Sequence, residues 1–149
     1  MNPANQNDPQ ANVELRIRTM RTLWFALLVS IGFYYGFTLV AQRRVNLEPN
    51  PYLSIALMCA AMFMVLAAFV IKSKLLSKAL EQRNVGMVQQ AYVVTWAITE
   101  VAALLGLLDF FLTNNRYYYV LLIIAALGEL LHFPRREHVE NAAFKSSVM

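Results

Sequence analysis

Apolar positions along the chain gather into four runs separated by short polar breaks. Residues 1–12 (MNPANQNDPQAN) are polar, hold two prolines and show no apolar period, so they read as a lead-in without regular structure. From Val13 the stretch VELRIRTMR brings Arg16, Arg18 and Arg21 up to an uncharged run of 20 residues, Thr22 to Ala41. That is long enough for a helix across a bilayer. A cleaved leader also follows a basic stretch, but this run exceeds the usual apolar segment of about 7–15 residues and no A-x-A-like site follows it, so a retained helix is predicted. The second run, Pro51 to Ile71, has 21 residues without a charge and opens on a proline that suits a first helical turn. The third, about Gln90 to Leu112, contains Glu100 and Asp109, and the fourth, Tyr117 to Phe133, contains Glu129 and stops at Pro134. Four helices follow, over about 22–41, 51–71, 90–112 and 117–133, within a transmembrane domain at 13–133 and ahead of a cytoplasmic tail at 134–149.

Composition supports the membrane reading. Hydrophobic residues make up 58% of the 149 positions and charged residues 15%, against roughly 45–50% and 25% in soluble domains. Mean hydropathy is +0.45. An excess of thirteen Lys+Arg over nine Asp+Glu contains no basic run or reading motif suited to nucleic acid, so no nucleic-acid partner is expected. Cys59 is the single cysteine and lies in an apolar run, which excludes an internal disulfide and predicts neither a metal nor a cofactor.

With an even number of spans, both termini share a side with the 72–89 connection. That side holds ten basic residues (Arg16, Arg18, Arg21, Lys72, Lys74, Lys78, Arg83, Arg135, Arg136, Lys145), and the other holds Arg43, Arg44 and Arg116. The bias predicts cytoplasmic termini in an inner (cytoplasmic) membrane. The 72–89 connection is read as a helical extension lying at that surface. No internal repeat is present, and nothing points to an inverted-repeat transporter.

Candidate chemistry rests on acids within the spans. Glu100 lies near the middle of the third run, where a carboxylate is expensive and commonly marks a proton, ion or substrate path. Burial disfavours its charged form, so it holds a proton unless a cation or donors sit beside it. The competing role is a hydrogen bond across packed helices. Ala102 and Gly106, with Ala97 and Ala103, let another backbone approach; Thr95 and Thr99 offer hydroxyls, and Tyr34 or Tyr35 could reach across from the first helix. Asp109 reads as an interfacial acid reaching water near Arg116. Glu129 and His132 are three apart on one face and read as a hydrogen-bonded interfacial pair; a di-iron site needs two such pairs and two more glutamates. Gly32 and Gly36 form a GxxxG pair that serves either intrachain packing or a homodimer.

Residues 75–112 resemble the polar loop and second helix of the ATP synthase c subunit, the proteolipid of rotary ATPases. Gln82-Arg83-Asn84 stands for the loop, Glu100 for the proton-binding carboxylate, and Gly106-Leu107 for the step after it. The resemblance covers about a quarter of the chain and implies proton binding at Glu100. The second helix here has alanines but lacks the glycine face of that family, the loop lacks its Arg-Gln-Pro order, and this chain has two further spans.

The expectation is an all-α integral membrane protein, an antiparallel four-helix bundle with both termini cytoplasmic. Its partners are the lipid bilayer and a second copy or larger membrane complex. The first function expected is a non-enzymatic accessory or structural subunit, and the alternative is proton or ion transfer through Glu100.

Overall fold

The computed structural model describes residues 9–41, 50–113 and 115–144. The first eight residues of the lead-in, residues 42–49 of the first connection with Arg43 and Arg44, Asn114, and Lys145 with the last four residues lie outside them. Helices make up 89% of the described residues, with no strand among them. They are α1 (Pro9–Val40), α2 (Pro51–Glu81), α3 (Val85–Leu112), α4 (Tyr119–Leu131) and α5 (Arg136–Phe144).

Three of these, α1, α2 and α3, are long and apolar enough to cross a membrane; α4 is apolar but has 13 residues. At 1.5 Å per residue α4 spans about 20 Å, less than a hydrocarbon core of about 30 Å. Its last turn buries Gly128 and Glu129 against the other helices and leaves Leu130 and Leu131 exposed. The central helix is α3, with 44% of its most apolar stretch buried against 22% in α2 and 11% in α1. Large apolar side chains such as Phe33 (73% exposed) and Phe63 (67%) point outward, the pattern of a bundle whose solvent is lipid.

Helix ends follow local chemistry. Asn50 caps α2 by accepting from Leu53 N–H at 3.1 Å, with Pro51 in the first turn. Asn84 caps α3 by accepting from Met87 N–H at 3.2 Å. Between them, α2 stops on Arg83 in the left-handed region at φ 49. Asn84 N–H donates to Ala79 O and Arg83 N–H to Leu80 O, the paired bonds of a Schellman end. The connection expected over 72–89 is thus a three-residue turn, and the rest of it belongs to α2 and α3, which pack on each other there. Leu76 and Ala79 continue the buried stripe beyond Lys72, which keeps α2 straight against α3.

Two clusters make up the core. At the α5 end, Val13, Ile17 and Met20 of α1 meet Leu76, Ala79, Val88, Ala91, Tyr92 and Trp96, with Val139 and Ala142 of α5 closing over them. This burial explains why α1 begins by Pro9 and why part of the tail is helical. Arg136 joins α5 to α1 through Glu14 at 3.5 Å. Towards the other end, Ile31, Ala61, Ala102, Ala103, Phe110, Leu121 and Ala125 form the second cluster.

Candidate functional site

Small residues on α3 and α4 bring the acid-bearing helices together. A Cβ on Gly106 would lie 3.0 Å from Leu121 Cβ, and one on Gly128 3.1 Å from Thr99 Cγ2 and 3.2 Å from Val65 Cγ1. Ala102 is likewise fully buried on α3. Because Gly128 packs on Thr99, their chain neighbours Glu129 and Glu100 lie on adjoining helices. Gly32 and Gly36 differ: a Cβ on either would meet nothing within 4 Å. The GxxxG pair takes no part in packing among the described residues, so its intrachain role is not the one this fold uses.

Glu100 faces α1. Ser30 and Tyr34 are one turn apart, and both hydroxyls lie 2.6 Å from Glu100 Oε1. Ser30 Oγ also lies 2.6 Å from Leu27 O; with a single proton it donates to one acceptor at a time. Glu100 Oε2 is buried and has no hydrogen-bond partner among the described residues. Of the two neighbouring tyrosines it is Tyr34 that reaches Glu100. Thr95 and Thr99 instead donate to Ala91 O and Thr95 O of their own helix.

The end of α4 is held by indoles. Trp24 Nε1–H donates to Glu129 O at 2.8 Å, and Trp96 Nε1–H to His132 O at 3.1 Å. The Trp96 bond serves the cap carbonyl of His132, while Glu129 O accepts the Trp24 indole in addition to the His132 N–H at 3.1 Å. His132 Nδ1–H donates to Gly128 O, which makes Nε2 the acceptor nitrogen, and the ring packs on Phe69 at 4.3 Å. Glu129 and His132 are both 0% exposed. Both Glu129 carboxyl oxygens and His132 Nε2 lack a partner among the described residues. The pair expected to bond to each other is instead two buried side chains on one face of α4 that are not bonded to each other, the His132 ring turning its Nδ1–H to Gly128 O.

Glu129 interacts electrostatically with Glu100 and with Lys72 of α2. The Lys72 ammonium sits 4.4 Å above the Tyr92 ring. Tyr92 OH accepts from Arg135 N–H at 3.1 Å and shares a hydrogen bond with His138 Nδ1 at 2.7 Å, its direction set by the His138 tautomer. Burial, then the nearby Lys72 and Arg135 cations, hold the His138 pKa below its usual 6.5, partly opposed by Glu137.

Asp109 is 0% exposed and does not reach water or Arg116 as expected. Thr113 Oγ1 lies 2.6 Å from Oδ1, and Oδ2 accepts from Ser54 Oγ and Asn115 Nδ2, each at 3.1 Å. The α3–α4 turn folds back over the acid and joins it to α2. Among the described residues no group of three or more His, Cys, Asp or Glu is placed to hold a metal ion.

Comparison with family models, curated proteins and solved structures finds no match. The functional reading therefore rests on geometry. Sequence reasoning did not pick out Ser30, Lys72, Trp24 or Ser54. Ser30 and Tyr34, four apart on the first run, carried the signal for a Glu100 partner.

Proposed function

We propose that this chain is a four-span, non-enzymatic subunit of a membrane complex that binds and releases a proton at Glu100, with both termini on the cytoplasmic side of an inner membrane. The supporting observation is the Glu100 carboxyl itself: one oxygen faces two hydroxyls from α1 at 2.6 Å, and the other is buried without a partner among the described residues. Those surroundings suit both protonation states. Protonated, Glu100 donates to Ser30 Oγ while Ser30 gives its own proton to Leu27 O. Ionised, it accepts from both Ser30 and Tyr34, and hydrogen bonding to the charged form offsets part of its desolvation. A small hydroxyl rotation at Ser30 accompanies each change.

Four helices without a broken segment form no through-path, so transfer needs a second copy or a partner chain. The ten-to-three basic bias supports the orientation. The likeness of residues 75–112 to the rotary ATPase c subunit points to the same carboxyl.

The test treats the chain in native membranes with a hydrophobic carbodiimide, which attacks protonated carboxyls in apolar surroundings. Glu100 is modified, Asp109 is spared, and modification fades as pH rises. Glu100→Gln keeps near-wild-type stability but loses proton-coupled activity of the complex. A residue that only joins helices gives the reverse: Glu100→Gln nearly silent, with Glu100→Ala losing about 1–2 kcal/mol. Intact coupled activity in Glu100→Gln, or a Glu100 unreactive at every pH, sinks the reading.

A further inference from the structure

We propose that Glu129 is a second proton-carrying group, passing protons between Glu100 and the α5 end of the bundle, with the Lys72 ammonium compensating its charge when it ionises and His132 Nε2 as the adjoining acceptor. This rests on the reading of Glu100 as a proton site and names the route that serves it.

Three observations converge. Glu129 is fully buried, yet neither carboxyl oxygen has a partner among the described residues, while its backbone carbonyl is taken by Trp24. A carboxyl kept for structure would have its oxygens bonded, as Asp109 does. The second observation is the tautomer of His132. Nδ1–H is committed to Gly128 O, so the buried, unpartnered Nε2 presents a bare lone pair one helical turn from the acid. The third is charge. Glu129 interacts with Glu100 on α3 and Lys72 on α2. Two carboxyls beside one ammonium leave a single proton to be shared between the carboxyls if the cluster is to stay neutral. From α1 the neighbouring groups are the Trp24 indole and the Arg21 guanidinium, which lies 5.6 Å above the Phe133 ring.

The transfer balances. Since no Glu129 oxygen is within hydrogen-bond distance of Glu100, the first step needs a bridging water or a turn of the Glu129 side chain: the Glu100 O–H bond breaks, a Glu129 O–H bond forms, and the electron pair left on Glu100 is held by the Ser30 and Tyr34 hydroxyls. In the second step the Glu129 O–H bond breaks, the proton bonds to His132 Nε2, and the Glu129 carboxylate stands against the Lys72 ammonium. Lys72 reaches it by turning from the Tyr92 face, a move its four-carbon stem permits. For the proton to leave, water must reach the buried Nε2 from the α5 end.

The experiment follows deuterium exchange of the Glu100 carboxyl by infrared spectroscopy after the full chain in liposomes is moved into heavy water. The Glu100 band is identified by its loss in Glu100→Gln. Glu129→Gln, close in shape, slows exchange at Glu100 by about tenfold or more, within the range of a positioned proton-transfer group. Lys72→Gln slows it in the same sense, and Lys72→Arg, which keeps the charge, restores it. Asp109→Asn leaves it unchanged. Wild-type exchange in Glu129→Gln overturns the relay while leaving Glu100 as a proton site with another entrance. Slowing in Glu129→Gln but not in Lys72→Gln removes Lys72 from the route and overturns the proposal as stated. A wild-type chain with no exchangeable Glu100 band overturns the function itself.

Discussion

Alanine at the four glycines of the spans separates contacts within the bundle from surface open to lipid. On Gly106 the new methyl would stand 3.0 Å from Leu121 Cβ and 3.2 Å from Leu122 Cδ2. Leu121 Cβ is fixed to the α4 backbone, so relief requires the helices to part by several tenths of an ångström. Overpacking of this kind costs about 1–3 kcal/mol, and the better helix propensity of alanine returns at most about 1 kcal/mol. A net loss of about 1–2 kcal/mol follows. On Gly128 the obstacles are Thr99 Cγ2 and Val65 Cγ1 at 3.1 and 3.2 Å. Both side chains are β-branched, and Thr99 is tied to Thr95 O at 3.1 Å, so neither rotates freely; the net loss is about 1 kcal/mol. Gly32→Ala and Gly36→Ala meet nothing within 4 Å and shift stability by between zero and about 1 kcal/mol in the favourable direction. The measurement is reversible unfolding in mixed micelles by added SDS, followed by circular dichroism under dilute conditions. Equal losses at Gly32 and Gly106 would show that α1 packs against protein through its glycines, and the helix arrangement described here would be wrong.

Three further outcomes follow from other parts of the bundle. Asp109→Asn puts donors against the Ser54 and Asn115 donors and loses about 1–3 kcal/mol in the same assay; wild-type stability would show that Asp109 does not hold the α3–α4 turn to α2. Docking of α5 weakens with acid: the native His138 pKa is depressed below 6.5 by burial and two cations, so the undocked helix binds more protons and stability is lost as pH falls through about 6.5 towards the native value. Hydrogen exchange of residues 136–144 reports this, and a dependence that survives in His138→Gln refutes the assignment. For orientation, in a Cys59→Ala background a cysteine at Arg116 labels with an impermeant maleimide on intact cells and one at Gln82 labels only after permeabilisation; the opposite pattern inverts the topology.

Helix content and the membrane environment were legible because an uncharged run of about 20 residues has few other uses. Helix ends were not. A hydropathy window stops at the first charge, whereas the Lys72–Glu81 extension of α2 carries Leu76 and Ala79 on its buried stripe between lysines that reach outward. The same blindness hid the helical part of the tail, where Val139 and Ala142 are two apolar contacts in a charged segment. For the site, Glu100 stood out because a mid-span acid is rare. Its partners depended on the rotation of α1 about its own axis, which no periodicity fixes when the helix is apolar on every side. The spacing put Glu129 and His132 on one face but did not fix where their side chains turn: the His132 ring gives its Nδ1–H to Gly128 O, and neither Glu129 oxygen meets it.

The three acids, Asp109 and Glu129 fully buried and Glu100 half-buried, thus differ in a feature that sequence does not show, namely the donors facing them. Asp109 has donors facing both oxygens, from Ser54, Thr113 and Asn115, with Thr113 also within reach of Asp109 O, and they tie α2 to the α3–α4 turn. Glu100 has donors on one oxygen, and one of these, Ser30, has an alternative acceptor in Leu27 O, so either protonation state is accommodated. Glu129 has none among the described residues. The number of donors falls from the Asp109 end of α3 towards the α5 end, where Lys72, Arg135 and His138 gather.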